Sequence, residues 1–165
     1  MAIVVEDGSL DETGANSFIS LADFKTYAAS RGLTLPADLT VEAYLVKAAD
    51  YINYYSDRFI GTLVDRDQPM SWPRDSVVIE GWEWEPNEIP RQVVSLQCAL
   101  TVELVNGQDI YNPASALPVV REKVDVIEVE YANPGQPAKM SKTRESQAIL
   151  RLLLKNSGLS LALRA

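Results

Sequence analysis

The chain has 165 residues, enough for one globular domain with its own core but short for a multidomain enzyme. It contains no histidine and one cysteine, Cys98, which excludes Ser-His-Asp and Cys-His catalytic systems, histidine metal ligands and an internal disulfide. No apolar stretch approaches the roughly 18 residues of a membrane span, and the N-terminus lacks a signal-peptide pattern, so we expect a cytoplasmic place of assembly.

The net charge of −8 is distributed unevenly along the chain. Residues 1–90 carry 16 acidic and 6 basic side chains, a balance of −10, whereas residues 91–165 carry 7 acidic and 9 basic ones, a balance of +2. Within residues 139–165, six basic side chains oppose Glu145 alone, a balance of +5. This pattern predicts contact with a partner or with further copies of the chain through opposed patches; the alternative is a solvated surface with accidental asymmetry.

Helical periodicity begins after an N-terminal arm and a turn-rich loop. Ser20 with Asp23 resembles a capping box and Gly32 provides a stop, so a first helix is predicted between them. Thr40 is the predicted cap of a second helix, which ends before Gly61. The tyrosines of this second helix resemble a ligand-binding shelf, but their helical spacing favours packing in the core.

Residues 61–90 are irregular and aromatic, because prolines interrupt any helix there. Val77–Ile79 is predicted as a short strand, and the remainder as a long loop held in place by tryptophans. The loop concentrates glutamates around two aromatic residues: Glu80, Glu83, Glu85 and Glu88 beside Trp82 and Trp84. A calcium site and a glycosidase carboxylate pair are further interpretations, but EF-hand spacing is absent and the short chain offers no larger scaffold for a cleft.

Pro90 starts a third predicted helix, which ends at Asn106-Gly107. Its apolar residues cover nearly the whole circumference, which indicates a central position in the fold. Cys98 within it is interpreted as an inert buried thiol rather than a nucleophile. Further along, residues 119–135 predict a protruding hairpin or bent strand that turns near Asp125, and its charged Glu128 and Glu130 protect an exposed edge.

A polar linker and a leucine-rich basic helix, residues 143–155, complete the pattern. The helix can dock in a groove of a partner, fold back onto its own core or, less favourably, lie on a membrane surface. In the docking interpretation the partner-binding side chains are Ile149, Leu150, Leu152, Leu153, Leu154, Arg144, Arg151 and Lys155. We therefore divide the chain into a body, residues 1–132, and a linker with a docking helix, residues 133–165.

The whole pattern predicts a mainly α fold: a small helical bundle with a long aromatic loop, one protruding β-hairpin or bent strand, and a C-terminal tail helix. No nucleophile–base pair, metal-ligand set or phosphate-binding glycine motif can be assembled from the residues present. We therefore expect no enzymatic activity, no cofactor and no metal.

Four segments, in order along the chain, resemble a family of tailed-phage proteins: EDGSLDETGANSFIS, SWPRDSV, NEIPRQVVSLQCAL and KVDVIEVEYA. The resemblance runs from Ile3 to Ala132. It departs at Phe18, where tyrosine is common, and at Asp125-Val126, where a glycine usually turns the strand. Members of the family are described as DnaT-like single-stranded-DNA-binding proteins, and the chain is also similar to phage head–tail connector (adaptor) subunits, which form a ring beneath the portal.

The resemblance implies a helical bundle with a β element, a homo-oligomeric ring (usually a dodecamer) and attachment to the phage portal protein through the C-terminal segment. It further implies a tail-side neck or tail-terminator protein as a second partner and double-stranded DNA that passes without tight binding. The expected location is the virion neck, after assembly in the host cytoplasm and with no membrane partner. Subunit-interface or loop roles would then fall to Trp72, Arg74, Trp82, Trp84, Glu128 and Glu130.

The distribution of charge in the sequence favours one of two candidate functions, a channel subunit over a single-strand binder. A single-strand binder needs a positive groove with aromatic platforms, whereas Trp82 and Trp84 lie among glutamates that repel phosphate. A channel subunit, by contrast, lets DNA slide past acidic walls. The sequence therefore favours a structural neck protein that joins the portal of the phage head to the tail. The alternative is a DnaT-like single-stranded-DNA-binding replication accessory protein.

Overall fold

The structure is a computed structural model that describes residues 2–111 and 144–155. Within these residues, two α-helices precede four short strands in the chain, and two more α-helices follow them. The α-helices are α1 (Leu21–Ala29), α2 (Asp38–Tyr54), α3 (Arg91–Val105) and α4 (Glu145–Leu153), with a 3-10 turn at Ser56–Arg58. The strands are β1 (Thr62–Leu63), β2 (Arg74–Asp75), β3 (Val77–Ile79) and β4 (Trp82–Trp84). The hairpin or bent strand predicted at residues 119–135, with Glu128 and Glu130, lies outside the described residues.

The segment predicted as a long aromatic loop contains two small antiparallel sheets, β1–β2 and β3–β4. Val77–Ile79 is a strand, as predicted, but Trp82–Trp84 pairs with it across a turn formed by Glu80 and Gly81. Both turn residues have positive φ, which matches the twist of the flanking strands. With 43% of the described residues helical, the fold is mixed α and β rather than clearly mainly α.

The ends of α1 and α3 follow their sequence signals. The Ser20 hydroxyl accepts a hydrogen bond of 3.1 Å from the Asp23 backbone N–H at the start of α1, which satisfies one of the unpaired donors of the first turn. Helix α3 begins directly after Pro90. It is followed by Gly107 with a φ of 76°, a left-handed position that favours glycine and closes the helix.

Helix α2 begins earlier than its predicted cap. Its N-cap is Ala37, which makes no side-chain capping bond, and Thr40 lies inside the first turn. The carboxylate of Asp38, the first helical residue, stands at the positive end of the helix dipole. That charge interaction takes the place of the hydroxyl cap that the sequence predicted.

Helix α3 is the central element, as its apolar circumference predicts. It packs against α2 on one side and α4 on the other, and ten of its 15 residues are buried. Cys98 is a free, buried thiol, and burial raises its pKa to about 12. The thiol is therefore protonated and covered at neutral pH, in agreement with its predicted burial.

Gln97 is a polar side chain fully buried within α3. Its Oε1 accepts a hydrogen bond from the Phe18 N–H (2.8 Å), and its Nε2 donates to the Ser17 hydroxyl (2.8 Å) and the Leu45 carbonyl (2.9 Å). One amide thereby joins the N-terminal arm, α2 and α3. Buried polar groups are nearly always paired, so this network fixes how the three segments meet.

We predict that Gln97→Leu lowers the free energy of unfolding by about 2–4 kcal/mol, because it removes three hydrogen bonds and leaves the Phe18 N–H buried without an acceptor. Urea unfolding followed by far-UV circular dichroism measures the change. Gln108→Leu, at an exposed position after α3, is the matched control. Equal stability of the two variants would contradict the role given to Gln97.

We also predict that Cys98 of the native protein resists a neutral-pH disulfide reagent and reacts fully once urea unfolds the chain, since the thiolate is the reacting species. Absorbance of the released thiol follows the reaction. The control is Ser9→Cys in a Cys98→Ala background, because Ser9 is exposed and its replacement should react at once. Rapid reaction of native Cys98 would show that this thiol is accessible.

Candidate functional site

The Trp72-Pro73-Arg74 segment fixes the conformation of the loop between α2 and β3 through buried side chains. Trp72 is fully buried beside Phe59, with ring centroids 5.6 Å apart. The guanidinium of Arg74, which is 4% exposed, donates hydrogen bonds of 2.8 to 3.2 Å to three backbone carbonyls of the same loop. Burial lowers the pKa of this guanidinium. The chain itself covers Trp72 and Arg74, and both side chains position the loop; a role of this segment at a subunit interface stays a prediction.

The N-terminal motif residues also act within the fold. A carboxylate oxygen of Glu6 accepts a hydrogen bond of 2.9 Å from the Gly8 N–H. Gly8 has a φ of 103° and lies so close to Asn87 that a Cβ would stand 2.1 Å from its carbonyl oxygen. Asn16 accepts a hydrogen bond of 3.0 Å from the Val4 N–H. These contacts show that the motif residues shape the N-terminal arm, so the motif can be explained without a bound ligand.

Helix α4 lies on the body of the protein. Leu150 and Leu153 are buried, Ile149 and Leu154 are partly buried against the core, and Leu152 is 47% exposed. This is the fold-back arrangement that the sequence left open beside docking. Attachment of the same helix to a portal protein stays a prediction, since the buried leucines face this chain's own core.

Polar contacts fix both ends of α4. At its start, Glu103 of α3 accepts hydrogen bonds from the Ser146 hydroxyl (2.5 Å) and from Arg144 (3.3 Å). After its end, Phe59 and Leu154 form an antiparallel bridge. Three of the eight predicted partner-binding side chains are exposed to solvent, and two of these three are cations.

Arg151 and Lys155 are exposed. Lys155 donates through Nζ to the Asp57 carbonyl (3.2 Å) and through its backbone N–H to the Arg58 carbonyl (2.8 Å). The end of α4 therefore brings a cation to the turn that follows α2. Arg151 makes no such contact among the described residues.

A group of aromatic and basic side chains lies around the C-terminal end of α2. We call it the tyrosine patch, and its members are Tyr51, Tyr54, Tyr55 and Tyr111 with Lys47 and Arg58. The Tyr51 ring lies 5.5 Å from that of Tyr111 and 5.3 Å from that of Tyr55, and Tyr54 contacts Tyr55 edge-on at 5.5 Å. Tyr54 is 72% exposed and Tyr111 is 50% exposed, so the patch offers aromatic faces to solvent.

Cations stand over two of these rings. The Lys47 ammonium lies 5.7 Å from the centroid of Tyr111, and the Arg58 guanidinium lies 5.6 Å from that of Tyr55. Burial, followed by the hydrogen bond to Tyr55, raises the pKa of Tyr51, and burial also raises that of Tyr111. Both phenols are therefore neutral at physiological pH and add no negative charge to the patch.

Core packing, which the sequence favours over a ligand-binding shelf for the tyrosines of the second helix, holds in part for Tyr51 and Tyr55, but the sequence did not identify Tyr54 and Tyr111 as exposed. Consecutive residues of a helix point about 100° apart, so Tyr54 and Tyr55 cannot both face inward. Tyr51 and Tyr55 pack partly on the core while Tyr54 faces solvent. The signal that could have found the patch is this doublet with Lys47 and Arg58 on either side.

The β3–β4 hairpin carries the remaining predicted interface residues. Trp82 is 77% exposed and Val78 is 58% exposed, whereas Trp84 is half-buried. Both tryptophans line a cleft together with glutamates; the sequence predicted this grouping of side chains but no cleft. Within residues 2–111 and 144–155, no group of three or more acidic or cysteine side chains is placed to hold a metal ion. None of the helices in this part of the chain has the length and apolar character to cross a bilayer.

Comparison with known proteins places the chain in one family. A family model described as "Putative DnaT-like ssDNA binding protein" matches residues 1–165. No curated protein and no solved structure matches the chain. The match extends past Ala132, where the motif resemblance ends, and its description concerns single-stranded DNA rather than a head–tail connector. The chain belongs to the family of DnaT-like single-stranded-DNA-binding proteins.

Proposed function

We propose that this protein binds single-stranded DNA and that bases stack on the tyrosine patch. The observation that carries the proposal is the set of contacting tyrosine rings, exposed at Tyr54 and Tyr111 and flanked by Lys47 and Arg58. Stacking of a base on an aromatic ring contributes about 1–3 kcal/mol and tolerates any sequence, while cations track the phosphates. The family description, which covers the whole chain, supports this function over the neck ring that charge alone favours.

The electrostatics of the patch predict modest, salt-sensitive affinity. Lys47, Arg58 and Lys155 are exposed cations near the rings, and Asp50 and Asp57 are exposed carboxylates on the same elements. The net charge of −8 further opposes approach of a polyanion. With about three phosphates neutralised, the affinity should fall roughly twenty-fold between 50 and 200 mM salt.

A subunit of a phage neck ring is the second candidate. It is favoured by the acidic β3–β4 hairpin, where Glu80, Glu83 and Glu85 accompany the exposed Trp82. Such a surface repels phosphate, so DNA can pass without adhering, and its tryptophan suits contact between proteins. The portal protein, a tail-side neck protein, a dodecameric ring and a place in the virion belong to this candidate. It requires that the isolated protein leave single-stranded DNA unbound.

We predict that Tyr54→Ala weakens binding of a fluorescein-labelled oligothymidine by about five- to a hundred-fold, because one stacking platform is lost. Fluorescence anisotropy at low salt measures the dissociation constant. Tyr54 is largely exposed, so its replacement should leave the fold intact, which circular dichroism verifies.

The matched control is Trp82→Ala, which removes an equally exposed aromatic side chain from the acidic hairpin. Its affinity should equal that of the parent protein. Lys47→Ala should in addition reduce the slope of log K against log salt by about 0.7. A parent protein that shows no salt-dependent binding, or binding lost with Trp82→Ala and kept with Tyr54→Ala, would overturn the proposal.

A further inference from the structure

The β3–β4 hairpin and the start of α3 enclose a cleft of about 390 Å³. Its walls carry the carboxylates of Glu80, Glu83 and Glu88 and the indoles of Trp82 and Trp84. In the described part of the chain Arg91 is the cation that lines the cleft, so carboxylates there outnumber cations three to one. This charge excludes a phosphate ligand, and the cleft shares no residue with the tyrosine patch.

Two buried polar atoms at the cleft have no hydrogen-bond partner among residues 2–111 and 144–155. Gln92, which is 8% exposed, donates through Nε2 to Glu80 (3.2 Å), but its Oε1 accepts no hydrogen bond. The indole Nε1 of Trp84 is buried and donates to no acceptor. Unpaired buried groups are rare and costly in folded proteins. Together these atoms call for a ligand that supplies a donor to Gln92 and an acceptor to Trp84.

We propose that this cleft binds an arginine side chain presented by a partner protein. A guanidinium carries a planar fork of donors, which suits the adjacent acceptors of Glu80 and Gln92 simultaneously. Its face can stack on the exposed indole of Trp82, as guanidinium groups do on aromatic rings. A backbone carbonyl of the same segment accepts the hydrogen bond from Trp84.

The choice of arginine over other cations follows from the shape of the acceptor set. A lysine ammonium is a compact, strongly hydrated point charge and lacks a flat face for stacking. A bare metal ion would leave the Trp84 N–H unpaired, because a metal supplies no acceptor. An arginine in a peptide segment provides the donor, the acceptor and the planar face together.

The test uses NMR of the full-length protein with the blocked tripeptide acetyl-Gly-Arg-Gly-amide as the probe. The chain has three tryptophans, and Trp72 is buried away from the cleft lining. We expect the indole N–H signals of Trp82 and Trp84 to shift saturably while that of Trp72 stays in place. The uncharged analogue acetyl-Gly-citrulline-Gly-amide should bind at least about tenfold more weakly, since hydrogen bonds to charged groups are the stronger ones.

Variants assign the binding to the cleft. Glu80→Gln and Gln92→Leu should each weaken binding of the arginine peptide by about tenfold or more. Glu12→Gln, which changes an exposed carboxylate elsewhere, should leave the affinity for the peptide unchanged. Glu80 is exposed in the turn between β3 and β4, so Glu80→Gln should fold. This variant therefore remains informative if Gln92→Leu fails to fold. The proposal is overturned if no saturable shift occurs, if citrulline binds equally well, or if Glu80→Gln retains full affinity.

Discussion

The buried amide of Gln97 is the interaction on which the described fold depends. It bonds to Phe18, Ser17 and Leu45 and so fixes the N-terminal arm and α2 against α3, the helix that also carries α4. A hydrophobic residue could fill the same space, but it could not distinguish one alignment of these segments from another, because apolar contacts have no direction. The position of the tyrosine patch at the end of α2 follows from this alignment.

The fold separates two surfaces of opposite character. The tyrosine patch joins neutral phenols to Lys47 and Arg58, and the end of α4 adds Lys155 beside the same turn. The β3–β4 hairpin instead presents Trp82 among glutamates. Net charge averages over both, so it is a poor guide to what either one binds. A polyanion is suited to the first surface and a cation to the second, so the proposed DNA site and the proposed arginine site would not compete.

Sequence reasoning succeeds where the signal is local. The Ser20 cap, the Pro90 start of α3 and its glycine stop each rest on one or two neighbouring residues, and the structure has all three. It fails where the local signal is weak or where distant residues decide. The β4 strand needs Glu80 at positive φ, a weaker turn signal than Asn-Gly. The tyrosine patch forms because Tyr111, which is 60 residues further along the chain, lies beside Tyr51. The periodicity of a single helix cannot predict a contact with a residue outside that helix.

The central claim is that single-stranded DNA contacts the tyrosine patch. A ¹⁵N-HSQC titration with an oligothymidine of about ten nucleotides, within the usual range of single-strand binding sites, tests it most directly. The account predicts saturable shifts of backbone amides between Lys47 and Arg58 and around Tyr111, with the β3–β4 hairpin unaffected. Shifts concentrated in that hairpin, or an unchanged spectrum at low salt, would contradict it.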